Sequence, residues 1–467
     1  MHGRYYSWMI FLSGVVLIIF TVMFIHSEMS PQWKPYQLEY RDLAIANAKD
    51  ADTKKTAMTM DIEVKQIYLG GLKRIDRCTS CHIGVENPMM AKALLPLKAH
   101  SGPYLKNHPS SKFGCTICHN GQGRAVDMKN AHGLGHDTHW DLPILPLKYI
   151  QSACASCHDS NMLKDKGGDK VVKGEVLFRE RGCKGCHKLN GVGGVIGKAL
   201  DGVGSQPVAY FPMKNVRGDK TVYSWMKEHF DDPRNIVSTS EMKSDFTDEE
   251  TDQLTTYVLS LHSDEIPKKY RRFLKEPEVP DTGEYLYKMY CGACHASGKD
   301  SVYDEVFKRT IPSIENPSFL KAVDRKYLKT VIEEGRAGTQ MTAWKSSAAG
   351  LTNAQIDKIV DYIIKDKPAE ASEAFDFAAY KPDIRNGEEL YRVRCVSCHG
   401  KKGEGGVGLN LRNPVVQKGA TAEFLAITLR DGREGTHMAA FGPNGAGLTN
   451  ENIADVVAYV KTLSTKK

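Results

Sequence analysis

The stretch from Trp8 to Phe24 carries no charge and is almost entirely apolar; with Tyr5, Tyr6 and Ile25 it reaches the about 20 residues that a helix needs to cross a bilayer. Tyr5, Tyr6 and Trp8 suit one interface and Trp33 the other. Only Arg4 stands ahead of the run, and Ile25 to Trp33 offers no small-x-small cleavage pattern, so an uncleaved signal anchor is expected rather than a removed signal peptide. Far downstream, apolar residues recur at helical spacing in three matching segments: Phe246 to Val258, Leu351 to Ile363 and Leu448 to Val460. Thr247, Thr352 and Thr449 stand where N-caps belong, and Glu250 and Gln355 complete capping boxes with the first two. Shorter amphipathic segments precede them: Gly174 to Phe178, Gly283 to Tyr287 and Gly387 to Tyr391, each opening Gly-Glu and ending on an aromatic ring. Residues 170–467 therefore read as a threefold repeat, linked by Pro- and charge-rich segments at 266–280 and 366–382.

All 12 cysteines fall in Cys-x-x-Cys-His motifs. The pairs are Cys78 and Cys81 before His82, Cys115 and Cys118 before His119, and Cys154 and Cys157 before His158. The remainder are Cys183 and Cys186 before His187, Cys291 and Cys294 before His295, and Cys395 and Cys398 before His399. A disulfide framework gives no reason for the histidine, zinc sites do not require it to be adjacent, and a thioredoxin-like pair would occur once. The spacing is that of c-type haem attachment: two thiols add to the porphyrin vinyl groups and the next histidine sits beneath the iron. Six covalently bound haem c groups are expected. The short amphipathic segments of the repeat each run into one of the last three motifs.

Charge and size alter little. A chain of 467 residues calls for several domains, and its 63 basic against 56 acidic side chains include no long basic run, so no nucleic acid partner is expected. Haem propionates would offset the formal +7, which therefore indicates no partner by itself. Gly403 to Gly408 matches G-x-G-x-x-G but follows a haem motif rather than a strand, which argues against a dinucleotide site. The Gly-rich run 191–204 reads as the loop after the motif, where backbone passes close to the haem edge.

A helix running into Cys-x-x-Cys-His, a loop bearing Met and a last helix with a late aromatic resemble the monohaem class I cytochrome c fold, here in three copies over residues 170–467. That resemblance implies a methionine as distal ligand. Met341 and Met438 each stand ten residues before the last helix segment, in Gly335-Arg-Ala-Gly-Thr-Gln-Met341 and Gly432-Arg-Glu-Gly-Thr-His-Met438. Met242 fits in the first copy ahead of Met213 and Met226, and the repeat register favours Met438 over His437.

Residues 51–165 hold three motifs in a His-rich span with little room for an apolar core, so the haems themselves are expected to form it. Lys112 to Arg124 and His139 to Pro146 resemble a triheme module of bacterial membrane-bound cytochromes that accompany quinol-oxidising complexes. Distal candidates are His100, His108, His132, His136 and His139; His100, His108 and His139 are favoured, with His132 next, while Met58, Met60, Met89 and Met90 are outside candidates. Spacing does not pair them with haems.

The expected fold is mainly α: an anchor and linker at 1–50, a triheme module with little regular structure at 51–168, and cytochrome c-like domains at 169–266, 278–368 and 382–467. The expected function is electron transfer between a membrane-bound quinol-oxidising complex and a soluble periplasmic carrier or reductase. The chain would be held by its anchor in the cytoplasmic membrane, with the rest periplasmic because haem c is attached there. Met ligation would place higher potentials in the repeat than in the bis-His part. The rival reading, a reductase of a small nitrogen oxide or peroxide, requires an open iron. A purely structural scaffold would require redox-silent haems.

Overall fold

The computed structural model describes residues 2–133, 142–263, 266–271, 280–305, 309–368 and 372–463. The chain is mostly helical and divides into two compact units. The first comprises Met1–Val171, Gly204–Ser238 and Ser244–Lys275; the second comprises Val172–Val203, Thr239–Lys243 and Glu276–Lys467.

The first unit opens with the helix His2–Met29. Its Tyr5–Ser27 segment, 23 residues with mean hydropathy 2.6, buries nothing against the rest of the chain and is by length and composition a membrane-crossing helix. A turn at Pro31 leads into the helix Trp33–Ala46, which packs on Ala51–Met58; Asp50 caps the latter by accepting from the Thr53 amide at 2.7 Å. Ala44, Ala57 and Met90 form a small buried cluster there. From residue 59 to 168 the described regular structure is the antiparallel hairpin Ile67–Leu69 with Arg74–Asp76, with Ile67 opposite Asp76, and otherwise short helical turns. Such a segment cannot bury enough apolar surface to hold itself together, and polar clamps do part of that work.

Gln37 is such a clamp. Fully buried, it donates through Nε2 to the Glu63 carbonyl at 2.7 Å and the Ser80 carbonyl at 3.0 Å, and its Oε1 accepts from the Glu63 amide at 3.1 Å. Ser80 lies inside the first Cys-x-x-Cys-His, so the helix that follows the anchor grips the first motif directly. Gln37→Leu is expected to lower the denaturant midpoint of this unit, with a cost of about 1–3 kcal/mol for each backbone group left unpaired. An unchanged midpoint would show that water takes over the clamp. The unit also holds the helices Val222–Asp231 and Asp248–Leu259, packed together with Met226 and Leu254 in their core. Tyr149 ties the third-motif region to them by donating to Asp252 Oδ1 at 3.0 Å.

In the second unit two helix pairs repeat one design. Gly283–Tyr290 packs on Asn353–Ile364, and Ile384–Arg394 packs on Asn450–Thr462. The opening glycines explain themselves here. A Cβ on Gly283 would lie 2.2 Å from the Lys358 carbonyl oxygen, and one on Gly387 would lie 2.1 Å from that of Asp455. Only glycine permits helices to cross this closely. One turn further on, Tyr287 meets Tyr362 and Tyr391 meets Tyr459, both at 5.3 Å between ring centres. Thr247 and Thr352 form the two expected capping boxes, and Thr449 caps its helix through the Asn452 amide without one. The last two copies also share a core: Val416, Ala420 and Phe424 pack with Tyr327, Leu328 and Val331.

Candidate haem sites

Each Cys-x-x-Cys-His motif folds into one helical turn. The histidine amide donates to the carbonyl of the first cysteine at 2.9–3.1 Å, and the second cysteine amide donates to the same carbonyl at 3.1–3.2 Å. This turn puts both thiols on one side with the imidazole beside them. None of the 12 cysteines is in a disulfide, and before haem attachment burial pushes the thiols of Cys118, Cys183 and Cys291 up to about 12 and those of Cys81 and Cys395 up to about 11. Among the described residues no group of His, Cys, Asp or Glu is arranged to hold a metal ion by itself.

The three proximal histidines of the repeat share a further feature. His187 Nδ1 lies 2.8 Å from the Lys198 carbonyl, His295 Nδ1 3.2 Å from that of Pro312, and His399 Nδ1 2.8 Å from that of Leu409. A carbonyl only accepts, so Nδ1 carries the proton and Nε2 offers its lone pair, as a metal-ligating histidine must. Burial lowers the pKa of His187 and takes that of His295 to about 4, which keeps the rings neutral. Gly197 and Gly408 lie flat against the rings of His187 and His399, where an added Cβ would come within 2.4 and 2.8 Å of ring carbon. The glycine loops after these motifs thus make room for the proximal ring; in Gly403 to Gly408 the Gly405 and Gly408 amides donate to His399 and Cys398 carbonyls.

In the first unit each proximal histidine faces a second one. His82 and His132 have ring centres 6.1 Å apart, His119 and His100 6.2 Å, and His158 and His108 5.8 Å. A metal–imidazole bond of about 2 Å, with about 1.1 Å from nitrogen to ring centre, places two trans imidazoles about 6 Å apart. The spacing therefore fits one iron between each pair. Burial lowers the pKa of His82, His119 and His158. His100 and His108 orient their rings through Nδ1, at 2.8 Å from the Ser101 carbonyl and 3.1 Å from that of Tyr104. His132 ends the helix Met128–His132, capped by Asp127, and its carbonyl accepts from Ile144 at 2.8 Å. His136 and His139 lie outside the described residues.

The methionine segments are also alike. Met341 N–H donates to Thr339 Oγ1 and Met438 N–H to Thr436 Oγ1, both at 3.1 Å, and Met242 N–H donates to Ser240 Oγ at 3.3 Å. All three methionines are half-buried, whereas His437 is exposed and Met226 is buried in a helix core. Lys243, next to Met242, forms an ion pair at 2.8 Å with the buried Asp304. Motifs also approach each other: the side chain of Cys78 lies beside that of Cys115, and that of Cys186 beside that of Cys294. Asp76, buried at the first junction, accepts from the Cys115 amide at 2.8 Å.

Comparison with known proteins finds two matching families. The family described as Cytochrome c matches residues 171–262, and that described as Cytochrome C oxidase, cbb3-type, subunit III matches 278–363 and 382–460. Cytochrome c-554(547) of Halothiobacillus neapolitanus is 31% identical over 94 residues, 17% of this chain and 97% of the relative. This chain belongs to the cytochrome c family. It is a membrane-anchored multihaem c-type cytochrome, and the haem it binds is covalent haem c. It also resembles the Cbb3-type cytochrome c oxidase subunit CcoP of Rhodobacter capsulatus, 25% identical over 197 residues, and subunit FixP of Azorhizobium caulinodans, 24% over 192 residues. These alignments take in 39% of this cytochrome, and they span 62% and 58% of the two relatives. The Kuenenia stuttgartiensis reducing HAO-like protein complex Kustc0457/Kustc0458 aligns to 40% of this cytochrome and 99% of its own chain at 19% identity, with a TM-score of 0.29, too low to carry an argument.

Proposed function

We propose that this cytochrome carries six haem c groups and relays electrons between a quinol-oxidising complex of the cytoplasmic membrane and periplasmic acceptors. The domain plan is an anchor and linker at 1–50, a triheme module at 51–168 and monohaem domains at 169–266, 278–368 and 382–467. Haem c would supply the redox centre at each site, held through the two cysteine sulfurs and by histidine or methionine, while the polypeptide excludes water. The observation that carries this reading is the set of histidine pairs at 5.8–6.2 Å. With both axial positions filled, substrate has no coordination site there, which favours electron transfer over a nitrogen-oxide or peroxide reductase. Met242, Met341 and Met438 fill the distal positions of the repeat.

The pairs are interlocked. His132, beyond the second motif, serves the first; His108, before the second motif, serves the third; and His100 serves the second. The first and third sites of the module therefore each depend on chain beside the second motif. The adjacency of Cys78 to Cys115 and of Cys186 to Cys294 would bring the haems of neighbouring motifs within tunnelling range. The anchor keeps the triheme end at the membrane, with the soluble part periplasmic.

The test is a redox titration of the detergent-solubilised protein followed by low-temperature electron paramagnetic resonance. Six low-spin centres, three of them at clearly lower potential, are expected. A high-spin ferric signal that responds to nitrite or peroxide would replace this reading with the reductase. A second reading draws on the cbb3-type match over the last two copies: that this pair passes electrons onward to an oxidase. Oxygen uptake by a partner membrane fraction, dependent on the reduced cytochrome, would favour it over delivery to a soluble carrier.

A further inference from the structure

We propose that Asn316 and Asn413 are positioning residues that act across the boundary between the last two copies. Asn316 fixes the loop that carries Met438, and Asn413 fixes the loop that carries Met341. This rests on the reading of those methionines as distal ligands.

The two loops are built alike. In one, the Arg336 amide donates to the Met341 carbonyl at 2.9 Å and Thr339 Oγ1 to the Arg336 carbonyl at 2.8 Å. In the other, the Arg433 amide donates to the Met438 carbonyl at 2.7 Å and Thr436 Oγ1 to the Arg433 carbonyl at 2.9 Å. Each loop is thus a closed turn with methionine at its end. The outer carbonyl of each turn is gripped by an asparagine of the other copy. Asn413 Nδ2 donates to the Ala337 carbonyl at 3.0 Å, and Asn316 Nδ2 donates to the Glu434 carbonyl at 2.8 Å. Met341 and Met438 each lie four residues beyond the gripped carbonyl.

The two asparagines stand in similar settings. Each precedes a proline that opens a short helix, Pro317–Ala322 or Pro414–Gly419. Each uses Oδ1 to cap that helix, accepting from Phe319 or Val415 at 3.1 Å. Both are buried, at 7% and 3% exposure, where a lost hydrogen bond is not replaced by water. The grip is braced further on one side: Arg433 lies over the rings of Phe319 and Phe424 and donates to the Ser318 carbonyl at 3.2 Å. A reciprocal arrangement of this kind couples the two sites: the position of each methionine depends on the fold of the copy that does not contain it. Axial ligation sets haem potential, so a thioether's hold on the iron would respond to small displacements of the loop that presents it.

The experiment uses the full-length, haem-loaded protein in mild detergent. Asn316→Asp and Asn413→Asp keep the cap, because aspartate caps as well as asparagine, but remove the Nδ2 donor. Asn→Ser at either position keeps a capping oxygen without added charge and serves if the aspartate variant folds poorly. The readouts are the methionine-to-iron charge-transfer band of the oxidised protein and the midpoint of each step in a redox titration. Met341→His and Met438→His mark which step belongs to which copy. Asn316→Asp is expected to weaken the band and shift the step marked by Met438→His, leaving the one marked by Met341→His in place; Asn413→Asp is expected to do the converse. Shifts in the substituted copy's own step, equal shifts in both, or none would overturn the proposal. Should Met341→His and Met438→His move no step, the ligand reading fails and the proposal falls with it.

Discussion

His132→Met is expected to raise the midpoint potential of a single low-potential centre, by on the order of 0.1 V, with the remaining centres unmoved. A thioether in place of an imidazole stabilises the reduced iron, and His132 stands beside His82 with ring centres 6.1 Å apart. The site accepts the change because the backbone is held independently of the ring: the Ala131 carbonyl accepts from Gln122 at 2.8 Å and the His132 carbonyl from Ile144 at 2.8 Å. His132→Gly removes the ligand altogether and is expected to produce one high-spin ferric signal. The same substitutions at His139 are expected to leave every midpoint in place. A silent His132→Met together with a shifted centre in His139→Met would transfer the assignment to His139.

That contrast shows where the sequence stops being legible. The motif states its own chemistry, because two thiols and an imidazole must lie within one helical turn. Distal histidines carry no such constraint. His100, His108 and His132 reach their partners only once the chain has crossed between motifs, so one-dimensional spacing could not separate His132 from His139. A local signal was available: Asp127 begins the short helix that His132 ends, and Asp127 is an N-cap residue. The methionine loops were readable because their context repeats, down to the hydroxyl two residues before each methionine.

The capping boxes of Thr247 and Thr352 were legible for the same reason as the motif: both halves lie within four residues. The shared core was not. Val416, Ala420 and Phe424 look like ordinary helix residues of the last copy, and nothing in their own segment says that Tyr327 of the preceding copy covers them. The Asn-Pro pairs at 316 and 413 marked two helix starts in matching places and would have pointed to that region. Their second bond, across the copy boundary, is a tertiary fact. Local chemistry was readable wherever it was complete within one turn or one repeat, and unreadable wherever a neighbouring segment supplied half of it.

The glycines that open each helix pair lie between these cases, since the repeat displays them and only the crossing explains them. Gly387→Val is expected to abolish the folded state of the last copy. Even Ala would set a Cβ 2.1 Å from the Asp455 carbonyl oxygen, a backbone atom with no rotamer to yield. Overpacking of this kind costs about 1–3 kcal/mol for small insertions, and the branched side chain adds to it. Relief by sliding the helices apart would break the polar joint beside the crossing, where Asp455 accepts from the Asp383 amide at 2.6 Å and from Asn386 Nδ2 at 2.7 Å. It would also separate Tyr391 from Tyr459. The measurement is limited proteolysis with haem staining of the fragments, alongside the thermal melt of the methionine band. Gly387→Val should release the C-terminal fragment at temperatures where the wild-type chain is intact, and Gly387→Ala should show a smaller shift in the same direction. A valine variant as resistant as wild type would mean that the helices can separate at that crossing without loss of the fold, and the close approach would then not be what selects glycine at the start of the last copy.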